Sequence, residues 1–119
     1  MTVEVESKIW VFVEQRRGHV AEVGLELLGK ALALAKPLDW KVAALLVGHQ
    51  VNDLADQILL YGAHEVLVAD HPLLADYCNE AYVKVLANAA KKWQPEVLLI
   101  GSTAMGTDLG PRLAARLRT

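Results

Sequence analysis

The sequence predicts a three-layer α/β/α domain built on a parallel sheet, and three observations carry that prediction. Four short runs rich in β-branched residues alternate with longer stretches of helical periodicity, the rhythm of strand–helix–strand crossovers. The runs are apolar almost throughout instead of alternating, as expected of strands covered by helices on both faces. Hydrophobic residues make up 54% and charged residues 22% of the 119 positions, which supplies a core and excludes disorder. Right-handed crossovers then place the strands in the order 3-2-1-4.

Each element has its own justification. Lys8 to Val13 (K-I-W-V-F-V) is too short for a buried helix and reads as the first strand, broken by Arg16-Arg17-Gly18. From Val20 to Ala35, Val20, Val23, Leu27, Ala31 and Leu34 recur at helical spacing, and Pro37 closes the helix. Lys41 to Val47 is the second strand, ending at Gly48. Asn52 or Asp53 caps a short helix through Leu60, with Gly62 as its stop. Glu65 to Ala69 is the third strand, ended by Asp70-His71-Pro72. Asp76 to Lys92 is a long helix with Tyr77, Ala81, Val85 and Ala89 in register, and Glu96 to Ile100 is the fourth strand. Gly101 to Thr107 reads as a small-residue loop, and Asp108 to Arg118 as a last helix with Asp108 as N-cap and Pro111 in its first turn. The rhythm would next supply a fifth strand, so the reading is one domain over residues 1–119 that belongs to a longer, truncated chain.

Composition excludes several functions. Twelve Lys and Arg against fourteen Asp and Glu give a net charge of −2, which argues against coating nucleic-acid phosphates. The longest apolar runs fall far short of the ~18 residues of a membrane span. Glu4 and Glu6 precede any apolar run, unlike a secretory signal. Cys78 is the single cysteine, so no internal disulfide forms, and its place in a helix reads as inert packing. A cytoplasmic location is the expectation.

Open parallel sheets bind ligands beyond the carboxyl ends of their strands. Those ends are Glu14-Gln15, Gly48-His49, Asp70-His71 and Gly101-Ser102. The last leads through Gly101-Ser102-Thr103-Ala104-Met105-Gly106-Thr107-Asp108 into a helix whose free N–H groups favour an anion. A Walker loop is excluded, because Thr107 and Asp108 follow Gly106. A dinucleotide fingerprint is excluded too, because Glu14-Gln15-Arg16-Arg17-Gly18 follows the first strand. His19, His49, His64 and His71 lack metal-ligand spacing, although His49 and His71 fall just after strands. Trp10, Trp40 and Trp93 read as core or core-edge residues. Arg112 and Arg116, one turn apart, form a small positive stripe, with Leu113 and Leu117 directed toward the sheet.

Gly101 to Leu117 (G-S-T-A-M-G-T-D-L-G-P-R-L-A-A-R-L) resembles the N-terminal domain of electron transfer flavoprotein alpha subunits, which carry G-x-T-x-x-G-x-D-L-x-P-R-x-A-A-R-L after the fourth strand. Trp10 to Val20 (W-V-F-V-E-Q-R-R-G-H-V), Glu26 to Ala31 and Ile58 to Ala63 are similar as well. The resemblance implies a Rossmann-like, adenine nucleotide alpha hydrolase-like fold. It implies a heterodimer with a beta subunit that carries electrons by FAD from acyl-CoA-type or other dehydrogenases to a quinone reductase or ferredoxin-linked acceptor. The redox FAD of the family sits in a second alpha domain, and AMP or a second FAD in the beta subunit, so none is expected tightly bound here. This domain is then a scaffold without a catalytic site of its own. Ser102, Thr103, Asp108 and Arg112 match the alpha segment and are the candidate partner or nucleotide contacts. No metal site, nucleic-acid partner or membrane insertion is expected. The alternative is a stand-alone nucleotide-binding module of the universal-stress-protein type, although its G-x-x-G-x(9)-G-[ST] pattern is not met. An ATP-pyrophosphatase-like enzyme is excluded by Glu14-Gln15-Arg16 after the first strand.

Overall fold

The four apolar runs form one parallel sheet. A computed structural model describes residues 5–118; Glu4 and Thr119, the last position of the expected domain, lie outside the described residues. The elements run β1 (Ile9–Phe12), β2 (Gln15–Arg16), β3 (His19–Val20), α1 (Glu22–Ala35), β4 (Val42–Gly48), α2 (Asn52–Leu60), β5 (Glu65–Asp70), α3 (Asn79–Trp93), β6 (Val97–Leu99) and α4 (Ala104–Leu117). The sheet order is β5-β4-β1-β6, which is the expected 3-2-1-4 order of the four main strands. Register pairs Trp10 with Ala43 and with Leu98, and Leu45 with Leu67.

Both faces of the sheet are covered. Ile9, Val11, Val42, Ala44 and Leu46 pack with Leu28, Ala31 and Ile58 of α1 and α2. Trp10, Phe12, Ala43 and Leu45 pack on the other side with Tyr82, Leu86, Leu109 and Leu113 of α3 and α4. That two-sided burial is why β4 is apolar from end to end: all seven of its residues are buried. Trp10 is fully buried and donates its indole N–H to the Ser7 carbonyl at 3.1 Å, with Trp93 edge-on at 6.4 Å. Trp40 is half-buried against the opposite cluster.

The sequence reading needs four corrections. Arg16-Arg17-Gly18 does more than end the first strand. Gln15–Arg16 and His19–Val20 pair antiparallel around a two-residue turn, with Arg17 at φ +51° and Gly18 at φ +81°. Both turn positions have positive φ, as hairpin turns that match the strand twist require. The second correction concerns α1, which is rotated from the expected stripe. Gly24, Leu28, Ala31 and Ala35 face inward and Leu34 is 60% exposed. Small residues win that face because the helix sits close to β1: a Cβ on Gly24 would stand 3.0 Å from Val13 Cγ1.

The third correction is the start of α3. His71 Nδ1 accepts from the Leu73 N–H at 3.1 Å and sets up a separate 3-10 turn over Pro72–Leu74, so α3 begins only after the extended Cys78. Cys78 is exposed at the helix N-cap instead of packed within the helix. Tyr82, Val83, Leu86, Ala87 and Ala90 form the buried face of α3, with Tyr77, Ala81, Val85 and Ala89 at its margin. The fourth correction shifts both predicted caps. Val51 precedes α2, and Thr103, not Asp108, caps α4. Helix α4 therefore starts at Ala104, inside the expected loop, and Pro111 lies in its interior.

Candidate functional site

The chain steps outward from β1 through β4 to β5, then returns to place β6 on the other side of β1. Ligand clefts of open α/β sheets form at such a reversal. A cleft of about 530 Å³ lies there, lined by Glu14 and Gln15 after β1, Thr103 and Met105 around the start of α4, and Tyr77 ahead of α3.

Thr103 is the centre of this site. Its backbone is extended, and its Oγ1 accepts from the Gly106 N–H at 3.0 Å, a standard N-cap. The same hydroxyl donates to Glu14 Oε1. Glu14 is only 9% exposed, so the protein's own carboxylate stands beside the α4 N-terminus, where a bound phosphate would otherwise be favoured. The close approach of α4 depends on Gly106: a Cβ there would lie 1.8 Å from the Gly101 carbonyl oxygen.

Of the other expected residues, Ser102 is exposed and Asp108 and Arg112 lie along the outer flank of α4. Asp108 accepts from the Tyr77 hydroxyl at 2.7 Å and from Arg112 Nε at 3.0 Å. The Tyr77 hydrogen bond, reinforced by Arg112, holds the Asp108 carboxyl below the usual carboxylate range. Partial burial and then the Asp108 carboxylate push the Tyr77 hydroxyl upward. The Arg112–Asp108 pair is open to solvent at 53% and 38% side-chain exposure, so solvent screening leaves it little effect on folding. The structure thus divides the four candidates: Thr103 enters the cleft, Asp108 and Arg112 pair beside it, and Ser102 joins neither group.

The remaining strand ends are also tied to the fold. Gln15 Nε2 donates to the Val47 carbonyl at 3.2 Å, and Gln15 Oε1 accepts from the Gly18 N–H at 3.3 Å. Asp70, at the end of β5, accepts from the Gln50 N–H at 2.8 Å and the Val51 N–H at 3.0 Å, which anchors the start of α2. The Gln50 hydrogen bond is the main reason its carboxyl is held low, and His49 lies 3.6 Å away. Glu14, Tyr77 and Met105 were not among the site residues expected from sequence. The signal for Glu14 was its position directly after an apolar strand. Tyr77 had none, because its role depends on where α3 begins.

A family model described as "Electron transfer flavoprotein domain" matches residues 9–119. The chain belongs to the electron transfer flavoprotein family. It is 45% identical over 111 residues to the electron transfer flavoprotein subunit alpha of Thermoanaerobacterium thermosaccharolyticum, covering 93% of this chain and 34% of that protein. It is 47% identical over 119 residues to protein FixB of Clostridium saccharobutylicum, covering all of this chain and 35% of the relative. It is 40% identical over 111 residues, 93% of this chain and 27% of the relative, to the lactate dehydrogenase (NAD(+),ferredoxin) subunit LctC of Acetobacterium woodii. The chain therefore spans about a third of the length of the curated relatives it matches. These matches do not favour the universal-stress-protein alternative.

The family is one of flavoproteins, and the cleft of this electron transfer flavoprotein domain is a poor fit for a flavin dinucleotide. A pyrophosphate at the α4 N-terminus would meet the Glu14 carboxylate, with Asp76 also lining the cleft. Arg16 and Arg17 are on the same rim but are exposed. Among the described residues, no group of His, Cys, Asp or Glu could hold a metal ion, and no helix is long and apolar enough to cross a membrane.

Proposed function

We propose that this chain is the N-terminal scaffold domain of an electron transfer flavoprotein alpha subunit. It docks on a beta subunit and frames the assembly that carries electrons from a dehydrogenase to a downstream acceptor. The family relationship supports the subunit class, and the internal use of the strand-end groups supports the scaffold role. Glu14, Thr103, Gln15 and Asp70 hold chain to chain where a nucleotide-binding relative of this architecture would hold ligand. The FAD that carries the electrons is held by a further alpha domain, and AMP or a second FAD by the beta subunit. Catalysis belongs to the dehydrogenase. Partner contact falls to the exposed residues flanking the cleft, Ser102 and the Arg112 pair among them.

The test is the visible spectrum of the purified chain after incubation with FAD and dialysis, followed by gel filtration with the beta subunit. A colourless chain that co-elutes with the beta subunit is the expected result. A stoichiometric flavin band that survives dialysis, or separate elution of the two chains, would overturn the reading.

A further inference from the structure

The two helix layers carry opposite charge. On one side of the sheet, α1 and α2 bear Glu22, Glu26, Asp53 and Asp56 against Lys30, a formal surplus of three negative charges. On the other, α3 and α4 bear Lys84, Lys91, Lys92, Arg112 and Arg116 against Glu80 and Asp108, a surplus of three positive charges. The chain's small net charge of −2 conceals this division.

The positive layer is also concave. Between α3 and α4 runs a groove of about 700 Å³, with Val83 and Ala115 along it, Lys84, Arg112 and Arg116 on its walls, and Asn79 and the single carboxylate of Glu80 also lining it, three cations against one anion. Arg112 is held by Asp108. Among the described residues, neither Lys84 nor Arg116 has an acidic group within ion-pair distance. Glu80 is one turn before Lys84 on α3 and makes no such pair with it. Two unneutralised cations facing each other across a groove repel, and an anionic side chain seated between them removes that repulsion. The groove is shallow and none of the exposed large hydrophobic residues lines it, so it offers a lipid surface no apolar anchor and suits a charged protein segment better.

We propose that the α3–α4 groove is a docking face for an acidic segment of the partner subunit, with Lys84 and Arg116 as the groups that recognise it. This inference rests on the subunit reading above and adds the face and the chemistry of the contact. The charged walls steer the encounter and fix the register of docking, while Val83 and Ala115 supply the apolar contact beneath.

The test uses the full-length alpha chain carrying Lys84→Glu and Arg116→Glu, compared with the unaltered protein and with Glu26→Gln on the opposite layer. Affinity for the beta subunit is measured at 50 and 300 mM salt. The expected result is at least a tenfold loss of affinity for the double reversal at low salt, a smaller loss at high salt, and no change for Glu26→Gln. Unchanged affinity of a folded double variant would overturn the docking face and leave the subunit reading intact. Failure of the unaltered chains to associate would overturn both. Sedimentation with anionic phosphatidylserine vesicles that is lost in the double variant, with beta-subunit affinity unchanged, would assign the groove to a membrane instead.

Discussion

Replacing Thr103 by Val removes one hydroxyl while keeping a β-branched side chain of the same shape, and the structure sets the size of the effect. Two hydrogen bonds are lost together. The Gly106 N–H loses its cap acceptor, which costs about 1 kcal/mol at a typical N-cap. Glu14, nine-tenths buried, loses the donor to its carboxylate, and hydrogen bonds to charged groups are worth roughly 1.5–3 kcal/mol. The expected destabilisation is therefore about 2–4 kcal/mol. For a domain of this size that lowers Tm by on the order of 8–16 °C. Thermal unfolding followed by circular dichroism measures it, and a double-mutant cycle with Glu14→Gln separates the two losses. Coupling between the positions should lie in the range of roughly 0.5–3 kcal/mol. A fall of less than about 2 °C, or strictly additive single effects, would refute the placement of the Thr103–Glu14 contact at the heart of the strand-end region.

Two further outcomes follow from the same geometry. Pro111 lacks the N–H that an interior helical position normally donates, and an interior Pro costs about 3 kcal/mol relative to Ala, so Pro111→Ala should raise stability in denaturant by about 1–3 kcal/mol without moving the cleft; a loss of stability would show that the proline ring itself is required in α4. Asp70 has its carboxyl held below the ordinary 3.8 by the Gln50 N–H, so its stabilising effect is fully present above that value and disappears as pH falls through the lowered folded value; Asp70→Asn should flatten the stability-versus-pH curve of the chain below about pH 4, and an unchanged acid limb in urea titrations would show that the α2 anchor contributes nothing there.

How far the sequence disclosed this domain depended on which force decided each feature. The two-sided core was legible because it follows from burial, since the apolar residues of β4 can be satisfied only by helices on both faces, and the sheet order followed from the handedness of the crossovers. The rotation of α1 was not, because it depends on how closely a helix approaches the sheet. Gly24 and Ala35 take the inner face through their small size, which a pattern of large hydrophobic residues does not reveal, although Ala31 was already on the expected stripe. The start of α4 was misplaced for a related reason. Asp108 and Thr103 both have cap chemistry, and Pro111 favours the later start under the rule that places proline in a first turn. What tips the balance is long-range, since Thr103 also meets Glu14, 89 residues earlier in the chain. Gly110 eases the outcome, for a residue without Cβ relieves part of the clash between a proline ring and its predecessor. The same logic explains why the candidate site emerged only in part. A motif read along the chain groups Ser102, Thr103, Asp108 and Arg112, whereas the fold groups Thr103 with Glu14 and Asp108 with Tyr77. A strand end committed to internal bonds leaves the helix surfaces as the places to meet a partner. The opposite charges of the two helix layers then become the more informative feature, and they are visible only once the fold has assigned each helix to a side.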